Sequence, residues 1–181
     1  YYSFASTFTQ LADNEIDGYT FETKTTAGSV ANLRLISDGY IDLAIVQADL
    51  FSDAYNATGT FADKKYQKGY KAIASLYTEC CQIVVRKDSG ITGIDDLINK
   101  TVSVGASESG TEKNAEQILK MSGITDELIN KVNMDYTEAA EKLKAGEIDA
   151  FFCTAGTRTE VIGQLSKECD IRLISLDDKC I

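Results

Sequence analysis

SVGASESGTEKNAEQIL, Ser103 to Leu119, passes from a short apolar run through glycines and serines into a charged segment with helical spacing. It reads as a strand end feeding a helix N-terminus. Such a junction holds an anion on first-turn amides, or is a well-capped helix and nothing more. Both readings stay open at this point.

The same alternation extends in both directions. Toward the C-terminus, "INKVNMD" predicts a short strand and "YTEAAEKLKAGEI" a helix stopped by Gly146. "DAFFCTAG" is an apolar strand, "TEVIGQLSKEC" a helix and "IRLISLD" a last strand. On the other side, "CQIVVRKD" predicts a strand, and "GITGIDDLINKTVSVGA" a turn, a short helix and a strand. Nearer the start, residues 1–12 read as a helix with Ser3 or Ser6 as a possible N-cap. Tyr19–Thr26, Ile41–Gln47 and Lys71–Tyr77 read as strands. Between them lie a helix with Ser29 as a possible N-cap and Val30, Leu33 and Ile36 as its buried stripe, and a second short helix in "ADLFSDAYNATG". This β-α-β rhythm predicts an α/β fold.

Two lobes, each a mixed sheet flanked by helices, compete with one sheet of seven or eight strands. An internal echo favours two lobes: "SDGYIDLAIVQAD" at 37–49 resembles "KAGEIDAFFCTAG" at 144–156. Each copy has a helix end, a glycine, an Ile-Asp pair and an apolar strand. Gly39 and Gly146 read as left-handed helix C-caps, and Asp42 and Asp149 as structural acids at strand starts. The expected division is residues 1–80 for lobe one and 81–175 for lobe two, with "TECCQ" crossing between them.

Composition narrows the function. The 181 residues are 44% hydrophobic, which suffices for one substantial core or two small ones. The net charge of −10 argues against nucleic acid as a partner. It leaves room for a small anionic ligand at a locally positive site. There is no His, Trp or Pro. Without His, Ser107, Ser109 and Cys153 lack the usual base for nucleophilic chemistry, so no catalytic residue and no enzyme is predicted. Asp49, Asp53 and Glu112 show no spacing that makes a paired-acid site. The five cysteines have no zinc spacing, and no metal or cofactor is expected. Cys81 and Cys153 sit in apolar runs as buried thiols; Cys169 and Cys180 are the pair able to close a short loop. No run approaches the roughly 20 apolar residues of a membrane span.

Open α/β sheets bind ligands at the carboxyl ends of their strands. Four such ends are polar or small: Ala27-Gly28-Ser29, Gln47-Ala48-Asp49, Ala106-Ser107 through Ser109-Gly110-Thr111, and Thr154-Ala155-Gly156. Recurrence in both halves is the argument for binding, since Ser29 or Thr111 alone is explained by capping. Tyr1, Tyr2 and Tyr77 are candidates for a cleft wall or for packing. Arg158 is a candidate carboxylate clamp or a solvated side chain.

"YYSFAS", "TTAGSVANLRLISDGYIDLAIVQADLFSDAYNATGTF", "KAIASLYTECCQIVVRKDSGI", "TVSVGASESGTEKNAEQIL" and "AAEKLKAGEIDAFFCTAGTRTEVIGQL" occur in this order and cover almost the whole chain. In these stretches the chain resembles the TAXI-type solute-binding subunits of tripartite ATP-independent periplasmic (TRAP) transporters. The resemblance implies a type II periplasmic-binding-protein fold whose two lobes close on a solute and deliver it to TRAP membrane permease subunits. It implies a small anionic or zwitterionic solute, glutamate-like or a dicarboxylate. It also implies an extracytoplasmic location, periplasmic or at the outer face of the membrane as a lipoprotein, after loss of a signal peptide. Carried over by motif, the ligand-binding residues are Tyr2, Ser3, Gly28, Ser29, Gln47, Ala48 and Tyr77, with Ser107, Ser109, Gly110, Thr111 and Glu112, then Thr154, Ala155 and Gly156. Relative to the family pattern the chain starts after a glycine-rich run and stops before helices that return to lobe one. It is therefore expected to be a fragment, with 176–181 beginning that return. "ASESG" replaces the usual "APGSG", which sets Glu108 beside the anion site. The alternatives are a ligand-sensing domain of a regulatory system and an enzyme on the same fold.

Overall fold

The computed structural model describes residues 2–62 and 69–176. The chain divides into two compact units, Tyr1–Lys71 and Ala72–Ile181. Tyr1, Cys180 and all but Leu176 of the expected return at 176–181 lie outside the described residues.

The second unit is built on one five-stranded mixed sheet. Its strands are β1 (Cys80–Arg86), β2 (Thr101–Ser103), β3 (Asn130–Val132), β4 (Ala150–Ala155) and β5 (Ile171–Ile174), in the order β3-β2-β4-β1-β5. β2 runs parallel to β3 and β4, while β1 runs antiparallel to β4 and β5. Alternation along the central strands sorts their side chains to two faces. Ile83, Val85, Val102, Ala150 and Phe152 join Ala115 and Leu119 of helix α4 (Gly110–Met121) in one core. Val84, Phe151 and Cys153 join Ala139 and Leu143 of α5 (Tyr136–Ala145) and Leu165 of α6 (Glu160–Glu168) in the other. Both faces of the sheet are thus covered, which explains why β4 reads as a continuous apolar run.

Local signals set the ends of these elements. Asp135 caps α5 by accepting from the amides of Thr137 and Glu138 at 2.8 and 3.0 Å. Gly146 closes it at φ 76°, as the sequence predicts. Asp149 is structural: its carboxylate accepts from the Thr101 amide at 2.8 Å, and its own amide donates to the Thr101 carbonyl.

The first unit is helical where described. α1 (Tyr2–Glu15), α2 (Ser29–Ser37) and α3 (Ala48–Asn56) match the predicted helices, and Gly39 has φ 75° just after α2. Val30, Leu33, Leu50, Ala54 and Phe61 form its small core. The predicted strands at Tyr19–Thr26, Ile41–Gln47 and Lys71–Tyr77 are not strands among the described residues. The alternation is visible over part of the first segment: Phe21 and Thr23 are half-buried, Glu22 and Lys24 exposed. A strand also needs a hydrogen-bonded neighbour, and none of these three segments, the last of which lies in the second unit except for Lys71, joins a ladder among the described residues. The expected mixed sheet is therefore seen in the second unit and not in the first. Among the described residues no helix is long and apolar enough to cross a membrane.

Candidate functional site

In the second unit the adjacent parallel strands β2 and β4 send their following helices to opposite faces: α4 packs on one core and α6 on the other. Adjacent strands whose connections diverge in this way open a crevice at their carboxyl ends, the usual ligand position in open α/β sheets. The segments bordering it are residues 104–109 after β2 and 156–159 after β4.

The first segment is tightly constrained. Gly105 has φ 98°, and a Cβ there would meet Thr111 Cβ and Cγ2 at 2.9 Å. Only a glycine lets the chain pass that close to α4. Glu108 takes the left-handed conformation at φ 62°. Ser109 is the N-cap, its hydroxyl accepting from the Glu112 amide at 3.0 Å. The Glu112 carboxylate is occupied by its own loop: Oε2 accepts from the Glu108 amide at 2.9 Å, and Oε1 from Asn133 Nδ2 at 2.8 Å. Asn133 also donates to the Gly105 carbonyl at 3.0 Å. Of the first-turn amides of α4, those of Gly110 and Thr111 have no helical carbonyl four residues back. They carry the positive end of the helix dipole toward the crevice. Ser107 is exposed beside them.

Thr111 and Thr154 sit beneath this rim, 3% and 8% exposed. The Thr154 amide donates to Thr111 Oγ1 at 3.3 Å, and the Thr154 hydroxyl donates to Asn114 Oδ1 at 3.1 Å. Tyr136 donates its phenol to the Thr154 carbonyl at 2.9 Å and also bonds to the Thr111 hydroxyl. Burial pushes the Tyr136 phenol well above its ordinary range, so it stays protonated as a donor. Ala155 and Gly156 are half-buried, and the Gly156 carbonyl accepts from Thr159 Oγ1 at 2.8 Å. Gln82 Nε2 in turn donates to that hydroxyl at 3.3 Å. Arg158 is exposed, the second of its two sequence readings. Burial raises the thiols of Cys81 and Cys153, the latter to about 12, which fits inert packing sulfurs.

In the first unit the turn before α2 requires its glycine, and the cap is not the predicted Ser29. Gly28, at φ 139° and ψ −154°, is in a region that is essentially glycine-only, and it holds the N-cap position. Ser29 is therefore the first helical residue and not the cap. Its buried hydroxyl accepts from the Gln47 amide at 3.0 Å, tying the start of α2 to the start of α3. Asn32 makes the neighbouring stitch, accepting from Thr26 at 2.6 Å and donating to the Ile45 carbonyl at 2.8 Å. Gln47 is the N-cap residue of α3 and Ala48 its first residue. Tyr2 and Ser3 open α1, with Tyr2 57% exposed. In the second unit Tyr77 is 47% exposed.

Each junction chosen from the sequence is thus built, two after strands (β2 and β4) and two after extended segments that are not strands, but the hydroxyls within them are mostly spent on structure. Sequence reasoning missed Tyr136, Asn114 and Asn133. They were legible as a helix start and as interior polar residues, and their partners lie far along the chain.

The fold has solved counterparts. The alkanesulfonate-binding protein SsuA from Xanthomonas axonopodis pv. citri, bound to MOPS, is 17% identical over 96% of this chain and 56% of its own, with a TM-score of 0.61. The periplasmic aliphatic sulphonate binding protein SsuA from Escherichia coli is 15% identical over 94% of this chain and 52% of its own, at 0.58. An ancestral arginine-binding protein bound to arginine is 21% identical over 94% of this chain and 66% of its own, at 0.61. The chain thus spans between 52% and 66% of the length of these three proteins. At such identities the likeness shows the fold, that of the type II periplasmic binding proteins. The profile of the NMT1-like family matches residues 1–181, so the chain belongs to the NMT1-like family.

Proposed function

We propose that this chain is the solute-binding part of an extracytoplasmic receptor that takes a small carboxylate or amino acid, glutamate-like in charge, and converts nothing. The observation that carries this reading is the divergence of α4 and α6 from the adjacent parallel strands β2 and β4, the arrangement that opens a ligand crevice in α/β sheets. There the α4 N-terminus, held by the Ser109 cap and the Gly105 close approach, offers the amides of Gly110 and Thr111. Backbone donors at a positive helix end suit a carboxylate. Ser107, exposed in the loop before α4, is read as the hydroxyl that selects among carboxylates. The turn at Gly28 and Ser29 and the Gln47-Ala48 helix start are the first unit's contribution to the same task. The two units are read as the two lobes of the receptor.

Family membership and the fold support a transport setting. TRAP membrane subunits are the partner that the TAXI-like stretches imply. Structures sharing the fold also include the substrate-binding protein of an amino acid ABC transporter, so the permease type is decided by the neighbouring genes. A ligand-stabilisation panel on the full-length protein tests the reading. It comprises glutamate, dicarboxylates, arginine and alkanesulfonates, each anion paired with its uncharged amide. One carboxylate-bearing solute is expected to stabilise the fold by about 2.7 kcal/mol at a concentration of about 100 times its Kd, while its amide has little effect. A panel in which no solute shifts unfolding overturns the reading.

A further inference from the structure

Thr111, Tyr136 and Thr154 come from three different elements and meet with little solvent access. The direction of each hydrogen bond follows from what each atom offers. A carbonyl only accepts, so Tyr136 spends its phenol proton on the Thr154 carbonyl at 2.9 Å. A backbone amide only donates, so Thr154 N–H gives to Thr111 Oγ1 at 3.3 Å. The bond between Thr111 and Tyr136 must then run from the Thr111 hydroxyl to the phenol oxygen. The three bonds close a ring through the Thr154 backbone, all running in one sense. In that ring the single proton of the Thr111 hydroxyl is already used.

We propose that Tyr136 is a positioning residue for solute binding: its phenol pins the start of α4 to the end of β4 and holds the Thr111 hydroxyl inward, so that a solute meets the Thr111 amide and not its side chain. The proposal rests on the binding site described above and refines it. It assigns Thr111, a residue whose type suggests a direct donor, to the scaffold. It also explains why position 105 must be glycine, since a Cβ there would press on Thr111 Cβ and Cγ2 at 2.9 Å and displace the ring. Geometry at this point governs affinity because the Gly110 and Thr111 amides belong to the helix turn that the ring fixes.

The test is calorimetric titration of full-length protein with the solute found by the panel, comparing the parent with Tyr136→Phe, Thr111→Val and Thr111→Ser. Titration reads affinity per folded molecule, which a purely structural role would leave unchanged while lowering the unfolding temperature. Tyr136→Phe is expected to raise Kd about tenfold at unchanged stoichiometry, the effect of losing one well-placed hydrogen bond. Thr111→Ser is expected to stay within about twofold of the parent. The double variant Tyr136→Phe/Thr111→Val should bind no more weakly than the weaker single variant, because both break one ring. A Tyr136→Phe protein that binds as the parent does overturns the positioning role and leaves the site intact. If Tyr136→Phe does not fold, Thr111→Val with Thr111→Ser as its rescue reads the same quantity, and an unchanged Kd in Thr111→Val overturns the proposal. A parent that binds nothing in the panel overturns the site itself, and the positioning role with it.

Discussion

Gly105 shows how much a single missing Cβ controls. Its φ of 98° is unfavourable for any L side chain, and an added methyl would lie 2.9 Å from Thr111. Gly105→Ala is expected to destabilise the protein by about 2–4 kcal/mol, from backbone strain and overpacking together. Gly163→Ala is the control: this glycine lies within α6 with nothing within 4 Å of an added Cβ. It should stabilise by about 0.5–1 kcal/mol. Urea midpoints measure both. Cys153 gives a prediction in pH. Burial raises its thiol from 9.0 to about 12. Between those values the unfolded chain has lost a proton that the folded chain keeps. Stability is therefore undiminished below about pH 9 and falls as pH rises toward 12. Cys153→Ala should show a shallower loss of stability above pH 9 than the parent; equal slopes would contradict the assignment. At this scale the sequence was legible for conformation and less so for contact. Gly39 and Gly146 announce helix ends by residue type, whereas Thr111 gives no sign that its hydroxyl turns inward to Tyr136.

Among the elements, α4 matters most because its N-terminus borders the crevice. Its start rests on the Ser109 cap, so Ser109→Ala should cost about 1 kcal/mol. Asp135→Ala, which removes the cap of α5, should cost a similar amount by the same argument and also disturb the helix that carries Tyr136. Denaturant titration with an Asn rescue at each position checks both, and unchanged midpoints would show the caps to be idle. Helices were readable because their signals are local: a capping serine or aspartate, an apolar stripe, a closing glycine. The strands of the second unit were readable for a different reason. β1 and β4 have long apolar runs that fill two cores. Tyr19–Thr26, Ile41–Gln47 and Lys71–Tyr77 have the composition of strands and join no ladder among the described residues. Composition records a preference for a pleated environment, while a strand exists only where a neighbour supplies hydrogen bonds.

For the whole molecule, the two units share one grammar: a helix, a glycine, an Ile-Asp pair, a strand or extended segment, and a polar junction. The repeat at 37–49 and 144–156 was visible before any coordinate, and so was the choice of junctions. What the sequence did not disclose is how the second junction is held, with the Ser109, Thr111 and Thr154 hydroxyls and the Glu112 carboxylate bonded within the scaffold. Glu112 illustrates this: both of its oxygens are engaged by the Glu108 amide and Asn133. The central claim is that a solute carboxylate is held by the first-turn amides of α4. A titration of the ¹⁵N-labelled full-length protein, followed amide by amide as the stabilising solute is added, tests it most directly. The account predicts that the Gly110 and Thr111 resonances move downfield and saturate with the solute's Kd. Saturating binding that leaves these two amides in place would contradict it.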